Sequence, residues 1–247
     1  MDWITKRVPF WAALAVAWIT IPDIADAATF RLTTKVYAGA DLDPFAEHLI
    51  LFDEGLVYDL PKIESRFVTV YDESQSRVTI LDRQTQLQTV LGTSDLEMVT
   101  AQARAAAVTP EQQEQRGLLA QVEPSKRVIG CSIKFGNLEY HTSTQTPDDP
   151  SIAVDYGRFA ILASRLNILR RLGPPPFGRM TLDQHIARMG ELPLETTLTV
   201  RRGEQSQEYR STHELDELAP LDRKKMDEVR GMLTLYREVP LKEFPSS

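Results

Sequence analysis

Disulfide chemistry is excluded at the outset, because the chain has a single cysteine, Cys131, and one thiol cannot close an intramolecular bridge. Basic charge is in short supply as well. Twenty-eight lysines and arginines stand against 35 aspartates and glutamates, a formal net charge of −7. A nucleic-acid partner needs a basic stripe and an anionic membrane surface needs a basic patch. Neither is expected here, and the acidic balance mainly confers solubility. Histidine is scarce: His48, His141, His185 and His213 show no metal-ligand spacing, so no metal is expected. Catalytic signatures are missing too. There is no Gly-x-Ser-x-Gly elbow, no Gly-x-x-x-x-Gly-Lys phosphate loop, no Gly-x-Gly-x-x-Gly turn and no His-Glu-x-x-His pair. The chain therefore reads as a non-enzyme that carries no cofactor.

Long apolar runs are absent except at the start. Lys6 and Arg7 precede an apolar stretch from Val8 to Ile21, which Pro22 and Asp23 terminate. Such a run is short for a membrane span and has the layout of an export signal. Ala25-Asp26-Ala27 puts small residues where a signal peptidase reads, so cleavage between Ala27 and Ala28 is expected, with a periplasmic or secreted product and no transmembrane span after cleavage. The alternative is a retained anchor with Trp11 and Trp18 at an interface. Residues 1–27 are thus read as a signal peptide, 28–238 as one α+β domain and 239–247 as a loose tail. Val128-Ile129-Gly130-Cys131 has the letters of a lipid-attachment box. It lies too deep in the chain to follow a signal, so Cys131 is read as a buried thiol at a strand end.

What the sequence has in quantity is short β-type runs. His48–Phe52, Leu56–Leu60, Arg66–Tyr71, Arg77–Leu81 and Gln86–Leu91 are separated by Asp53-Glu54-Gly55, Pro61–Ser65, Asp72–Ser76 and Asp82–Thr85. Connections this short are hairpins, so the runs form an antiparallel meander. The alternating run Thr29–Tyr37 supplies an amphipathic first strand, against which Phe45–Phe52 pairs back. Leu49-Ile50-Leu51-Phe52 is apolar at every position, as expected of a central strand covered on both sides. For the other strands one face meets a core and the other is wetter. Ile129–Phe135 with Leu138–Thr144 across Gly136-Asn137, and Leu194–Arg201 with Gln207–Ser211 across Arg202-Gly203-Glu204, read as two further hairpins.

Helix starts are expected at the capping boxes Ser94-Asp95-Leu96-Glu97 and Thr109-Pro110-Glu111-Gln112, at Asp155 after a short strand Ser151–Val154, at Thr181, and at Pro220. The helix Tyr156–Leu172 sets Phe159, Leu162, Leu166 and Leu169 at three- and four-residue spacing. Gly173 and Pro174-Pro175-Pro176 stop it and continue as a stiff connector. The acidic pairs Asp41/Asp43, Asp53/Glu54, Asp72/Glu73 and Asp148/Asp149 all fall in turns, where Asp is selected to accept backbone amides. They read as turn residues before they read as a general acid and base.

The fold class is therefore α+β: a curved antiparallel β-sheet, an unclosed half-barrel, with helices packed on or capping its concave face. The order of elements from Phe30 to about Ser211, with Leu51-Phe52-Asp53-Glu54-Gly55-Leu56-Val57-Tyr58 and Val70-Tyr71-Asp72 followed by Val78-Thr79-Ile80-Leu81-Asp82, resembles the half-barrel of periplasmic lipoprotein carriers of the LolA and LolB type. That resemblance implies a sheet wrapped around lid helices and sheltering acyl chains. It carries no individual residue's role, and no helix is read before the first strand. The expected function is binding of a hydrophobic or amphipathic ligand, a lipid or a lipoprotein acyl chain, under a lid of Phe159, Leu162, Leu166 and Leu169, with Phe67, Tyr71, Val78 and Ile80 as wall. The alternative is an envelope interaction module whose helix simply fills the core and whose partner is another protein.

Overall fold

The computed structural model describes residues 28–172 and 176–245. The expected signal segment and the connector residues Gly173, Pro174 and Pro175 lie outside them. The chain runs through β1 (Phe30–Ala38), β2 (Ala46–Asp53), β3 (Leu56–Pro61), β4 (Phe67–Asp72), β5 (Arg77–Asp82) and β6 (Leu87–Gly92), then α1 (Thr93–Ala105) and α2 (Pro110–Gln115). β7 (Val122–Pro124), β8 (Gly130–Phe135) and β9 (Leu138–Gln145) follow, then α3 (Pro150–Arg170) and α4 (Phe177–Arg188). β10 (Leu192–Arg202), β11 (Gln205–Asp216), α5 (Pro220–Leu235) and the short β12 (Arg237–Glu238) complete it.

The twelve strands among the described residues share one open, curved sheet in the order β12-β6-β5-β4-β3-β2-β1-β11-β10-β9-β8-β7. Every pairing is antiparallel except β12 on β6. Two meanders, β1 to β6 and β7 to β11, are fused where β1 pairs with β11 from Arg31↔Asp216 to Ala38↔Tyr209. The tight turns are as the sequence demands. Glu54 and Gly55 both take positive φ, at 50° and 84°, which a two-residue hairpin matching the strand twist requires.

β2 is buried on both faces. Ile50 and Phe52 face α3, while Leu49 and Leu51 face α5. The ring of Phe52 stacks on Phe30, its cross-strand partner, at 4.0 Å, and Phe159 of α3 meets Phe52 and Tyr71 edge-on at 5.7 and 5.2 Å. The face of the meander expected to be wet is instead partly a second core. Val68, Val70 and Leu81 are buried there beneath Met226 and Val229 of α5. α5 thus lies outside the concavity, whereas α1 and α3 pack inside it.

Three helix starts differ from expectation. α1 begins at Thr93, directly where β6 ends, with extended Gly92 as its cap and no side-chain cap bond; Ser94 is already helical. α3 begins five residues before Asp155: the Asp149 carboxylate accepts the Ser151 amide at 2.8 Å and Pro150 takes the first helical position. The run Ser151–Val154 is therefore helix, not strand, because cap and proline outrank its β-branched residues. α4 begins at Phe177, four residues before Thr181, whose hydroxyl donates back to the Phe177 carbonyl. The Thr109 capping box at α2 is present as expected. α3 ends with Arg171 in the left-handed region, φ 56°. Val239 is buried and the Phe244 ring lies 5.9 Å from Phe67.

α4 docks on the far half of the sheet through Leu182 and Ile186 against Cys131, Ile133 and Phe135. Its close approach depends on Gly178, where an added Cβ would sit 2.0 Å from a Phe135 ring carbon. Gly178→Ala is expected to destabilise the fold by about 1–3 kcal/mol through overpacking. Gly231→Ala, in open space on α5, is expected to stabilise by roughly 0.5–1 kcal/mol. Opposite shifts of the urea midpoint would verify both; equal shifts would refute the packing of α4 on Phe135.

Candidate functional site

The sheet register decides which residues share the concavity, because cross-strand partners point to the same face. In the meander, the expected lid and wall residues do come together. Phe159 and Leu166 of α3 join Tyr71, Val78 and Ile80 in one buried cluster, with Leu162, Leu169 and Phe67 at its margin. The space left between Phe52, Tyr71, Phe159 and Leu162 is only about 20 Å³, room for about one water. At this seam the helix fills the concavity.

The same face continues across the fusion of the two meanders with a different composition. Thr34 and Val36 of β1 pair with His213 and Ser211 of β11. Ser211 and Tyr209 pair with Thr196 and Leu198 of β10, and these pair with Thr142 and Tyr140 of β9. α3 reaches this row only at its polar end, where the Tyr156 ring meets His213 edge-on at 6.3 Å. The N-terminal turn of α4 roofs it through Pro176 and Arg179, leaving a cavity of about 320 Å³. That is near the lower end of the roughly 300–1,000 Å³ typical of small-molecule pockets. Val36, Leu198 and Tyr209 give it an apolar wall, and Thr34, His213 and Arg179 a polar end.

The polar end is built from five elements. Arg179 Nε lies 2.8 and 2.9 Å from the two carboxylate oxygens of Asp183, one turn further along α4. Asp183 is 4% exposed, whereas the Arg179 side chain retains 22%. Burial acts to depress the guanidinium pKa, but Asp183, together with Tyr156 and Tyr140, holds it above its ordinary value, while burial pushes the Asp183 carboxyl up against the pull of Arg179. The phenol of Tyr156 on α3 is pushed up by burial and by the charge of Asp183, against the pull of Arg179. Burial also pushes up the phenol of Tyr140.

His213 is the unusual member. It is 6% exposed, its Nδ1 lies 3.1 Å from the Thr34 hydroxyl, and its Nε2 is buried without a partner. Burial, reinforced by the positive charge of Arg179, lowers its pKa to about 3, so the ring is neutral at physiological pH. An unsatisfied buried ring nitrogen costs about 1–3 kcal/mol; the ring meets the Thr34 hydroxyl and, edge-on, the Tyr156 ring at 6.3 Å between centroids.

Several other polar groups have structural explanations. Ser125, His141 and Glu139 form a hydrogen-bonded chain, with 2.9 Å from Ser125 Oγ to His141 Nδ1 and 3.1 Å from His141 Nε2 to Glu139. The Ser125 oxygen, however, accepts the amides of Arg127 and Val128, so it secures a turn. Asp72 and Asp149 accept local amides, and Asp41 and Asp43 are exposed. Cys131 is buried beneath α4, where burial raises its thiol pKa. Among the described residues no cluster could hold a metal ion.

Sequence reasoning found neither Arg179 nor Asp183, because placing the helix start at Thr181 put the two on different elements. An arginine and aspartate four residues apart within an apolar stretch was the available signal. His213 was indistinguishable from an ordinary strand histidine. No protein-family model matches the chain, and no curated protein matches it.

Because the folded pKa of His213 lies below its unfolded value near 6.5, the unfolded chain binds a proton that the native state refuses as pH falls below 6.5. At pH 5 this is expected to lower stability by about 2 kcal/mol relative to pH 8. Urea titrations of the wild type and His213→Gln at the two pH values should show the variant losing correspondingly less. Parallel losses would mean that the ring is not held neutral.

Proposed function

We propose that this is an exported, non-enzymatic protein of the cell envelope, periplasmic or secreted, that binds a hydrophobic or amphipathic ligand in the concavity of its sheet, beneath α4. The observation that carries this reading is the cavity of about 320 Å³ with an apolar wall and a polar end, beside an α3 seam that leaves only about 20 Å³. An open antiparallel sheet with helices on its inner face also supports an architectural parallel with the LolA and LolB type of carrier, and so a lipid or acyl chain as occupant. The apolar run Val8–Ile21 and the small residues before Ala28 support export. Ala28 itself is buried, and its amide donates to Asp155 at 2.8 Å. Among the described residues no helix is long and apolar enough to cross a membrane. A second reading, a protein-interaction module with a filled core, draws support from the tight α3 seam.

The two readings part on ligand uptake. The purified protein is expected to bind the uncharged fluorophore N-phenyl-1-naphthylamine saturably. Leu198→Glu places a charge in the apolar wall and should weaken uptake by at least about tenfold while cooperative thermal unfolding is retained. A wild-type protein that takes up no probe would refute the binding reading in favour of the interaction module.

A further inference from the structure

Donors outnumber acceptors at the polar end of the α4 cavity. Asp183 is engaged by Arg179 Nε, so the two Nη groups lie outside that contact. The side chain's 22% exposure leaves its outer edge open to the cavity that it lines. His213 Nδ1 and the Thr34 hydroxyl share a hydrogen bond whose direction depends on the tautomer; in the tautomer whose Nδ1 accepts from Thr34, the ring's own proton is on Nε2, the buried atom without a partner among the described residues. α4 adds a third contribution: its cap residue Pro176 lies on the cavity rim and offers no side-chain cap bond to the first amides, and a helix N-terminus favours negative charge.

We propose that this cavity recognises a long-chain carboxylic acid, whose carboxylate accepts from the Nη edge of Arg179 and from His213 Nε2 while its chain lies along Val36, Leu198 and Tyr209. This rests on the binding reading above and specifies its ligand class. A carboxylate suits the site because it is acceptor-only and planar, matching a guanidinium edge. Arg179 then lies between two carboxylates, Asp183 on the Nε side and the ligand on the Nη side. A phosphate head, with up to two charges, would meet one arginine already half neutralised by Asp183. An ester or alcohol offers no charge for Arg179 or the α4 terminus to complement. The polar end thus selects for the head, while the apolar wall supplies affinity for the chain.

Competition against bound N-phenyl-1-naphthylamine tests this, with dodecanoate, methyl dodecanoate and dodecyl phosphate as competitors. Dodecanoate is expected to displace the probe at least about tenfold more effectively than the methyl ester, the worth of one charge-assisted hydrogen bond, and more effectively than the phosphate. The double variant Arg179→Gln/Asp183→Asn removes the charge pair together, so that no ion is left unpaired in the interior. It should bring the dodecanoate-to-ester ratio close to one, and His213→Gln should lower the ratio by a smaller factor. Equal displacement by dodecanoate and its ester in the wild type would overturn the carboxylate assignment while leaving ligand binding standing. A preference that survives the double variant would overturn the role of Arg179, and a preference for the phosphate would assign a different head. Failure of the protein to bind the probe at all would refute the binding reading itself, a separate result.

Discussion

The pairing of β1 with β11 is the constraint on which the rest of the molecule depends. Eight consecutive residue pairs, Arg31↔Asp216 to Ala38↔Tyr209, join the first strand of one meander to the last strand of the other. A one-residue slip would turn every side chain of the second meander to the opposite face. Register alone therefore places His213 beside Thr34 and keeps Tyr140, Leu198 and Tyr209 inside the concavity with Phe52 and Ile80. No local signal in either meander specifies that join. It is held by the side chains that it aligns, Leu32 and Leu215 in the core among them.

The joined inner face has two chemically different halves. Over β1 to β6 it is apolar where α3 closes it, with hydrophobic burial as the stabilising term, and it also carries the contact of His48 with Asp59 at 2.6 Å. Over β9 to β11 it carries Thr142, Thr196, Ser211 and His213, and the helix above brings an ion pair rather than another leucine. Folding alone gives little reason for that arrangement. A buried ion pair replaced by well-packed apolar groups is often neutral or stabilising, and an orphaned ring nitrogen opposes stability outright. A site that departs from the economy of a plain core is where function is to be sought.

Much of the fold was legible because it rests on local chemistry. Asp53-Glu54-Gly55 and Gly136-Asn137 mark turns by the conformations they permit, and the unbroken run Leu49–Phe52 announced a strand buried on both faces. The same local reading misplaced the start of α3, where Ile152 and Val154 looked like strand but Asp149 and Pro150 decided the matter. It also expected one wet face in the meander, because the helix that covers Val68 and Val70 lies about 150 residues further along the chain and its destination depends on tertiary packing. The site was less legible still. Arg179, Asp183, Tyr140, Tyr156 and His213 converge only after α4 has docked and the meanders have joined, and no spacing in the sequence encodes that convergence.

The two margins of the sheet bear on how the molecule behaves in company. An open sheet of this width ends in two rows of unsatisfied backbone groups, a natural template for another chain. Here one margin is β7, three residues long and finished by Pro124, which has no amide hydrogen to offer. The other is β12, two residues long and laid parallel on β6. Neither is long enough to seed growth strand upon strand. The sheet can therefore stay open, keeping its concavity accessible without the closure of a full barrel and with little risk of edge-to-edge polymerisation.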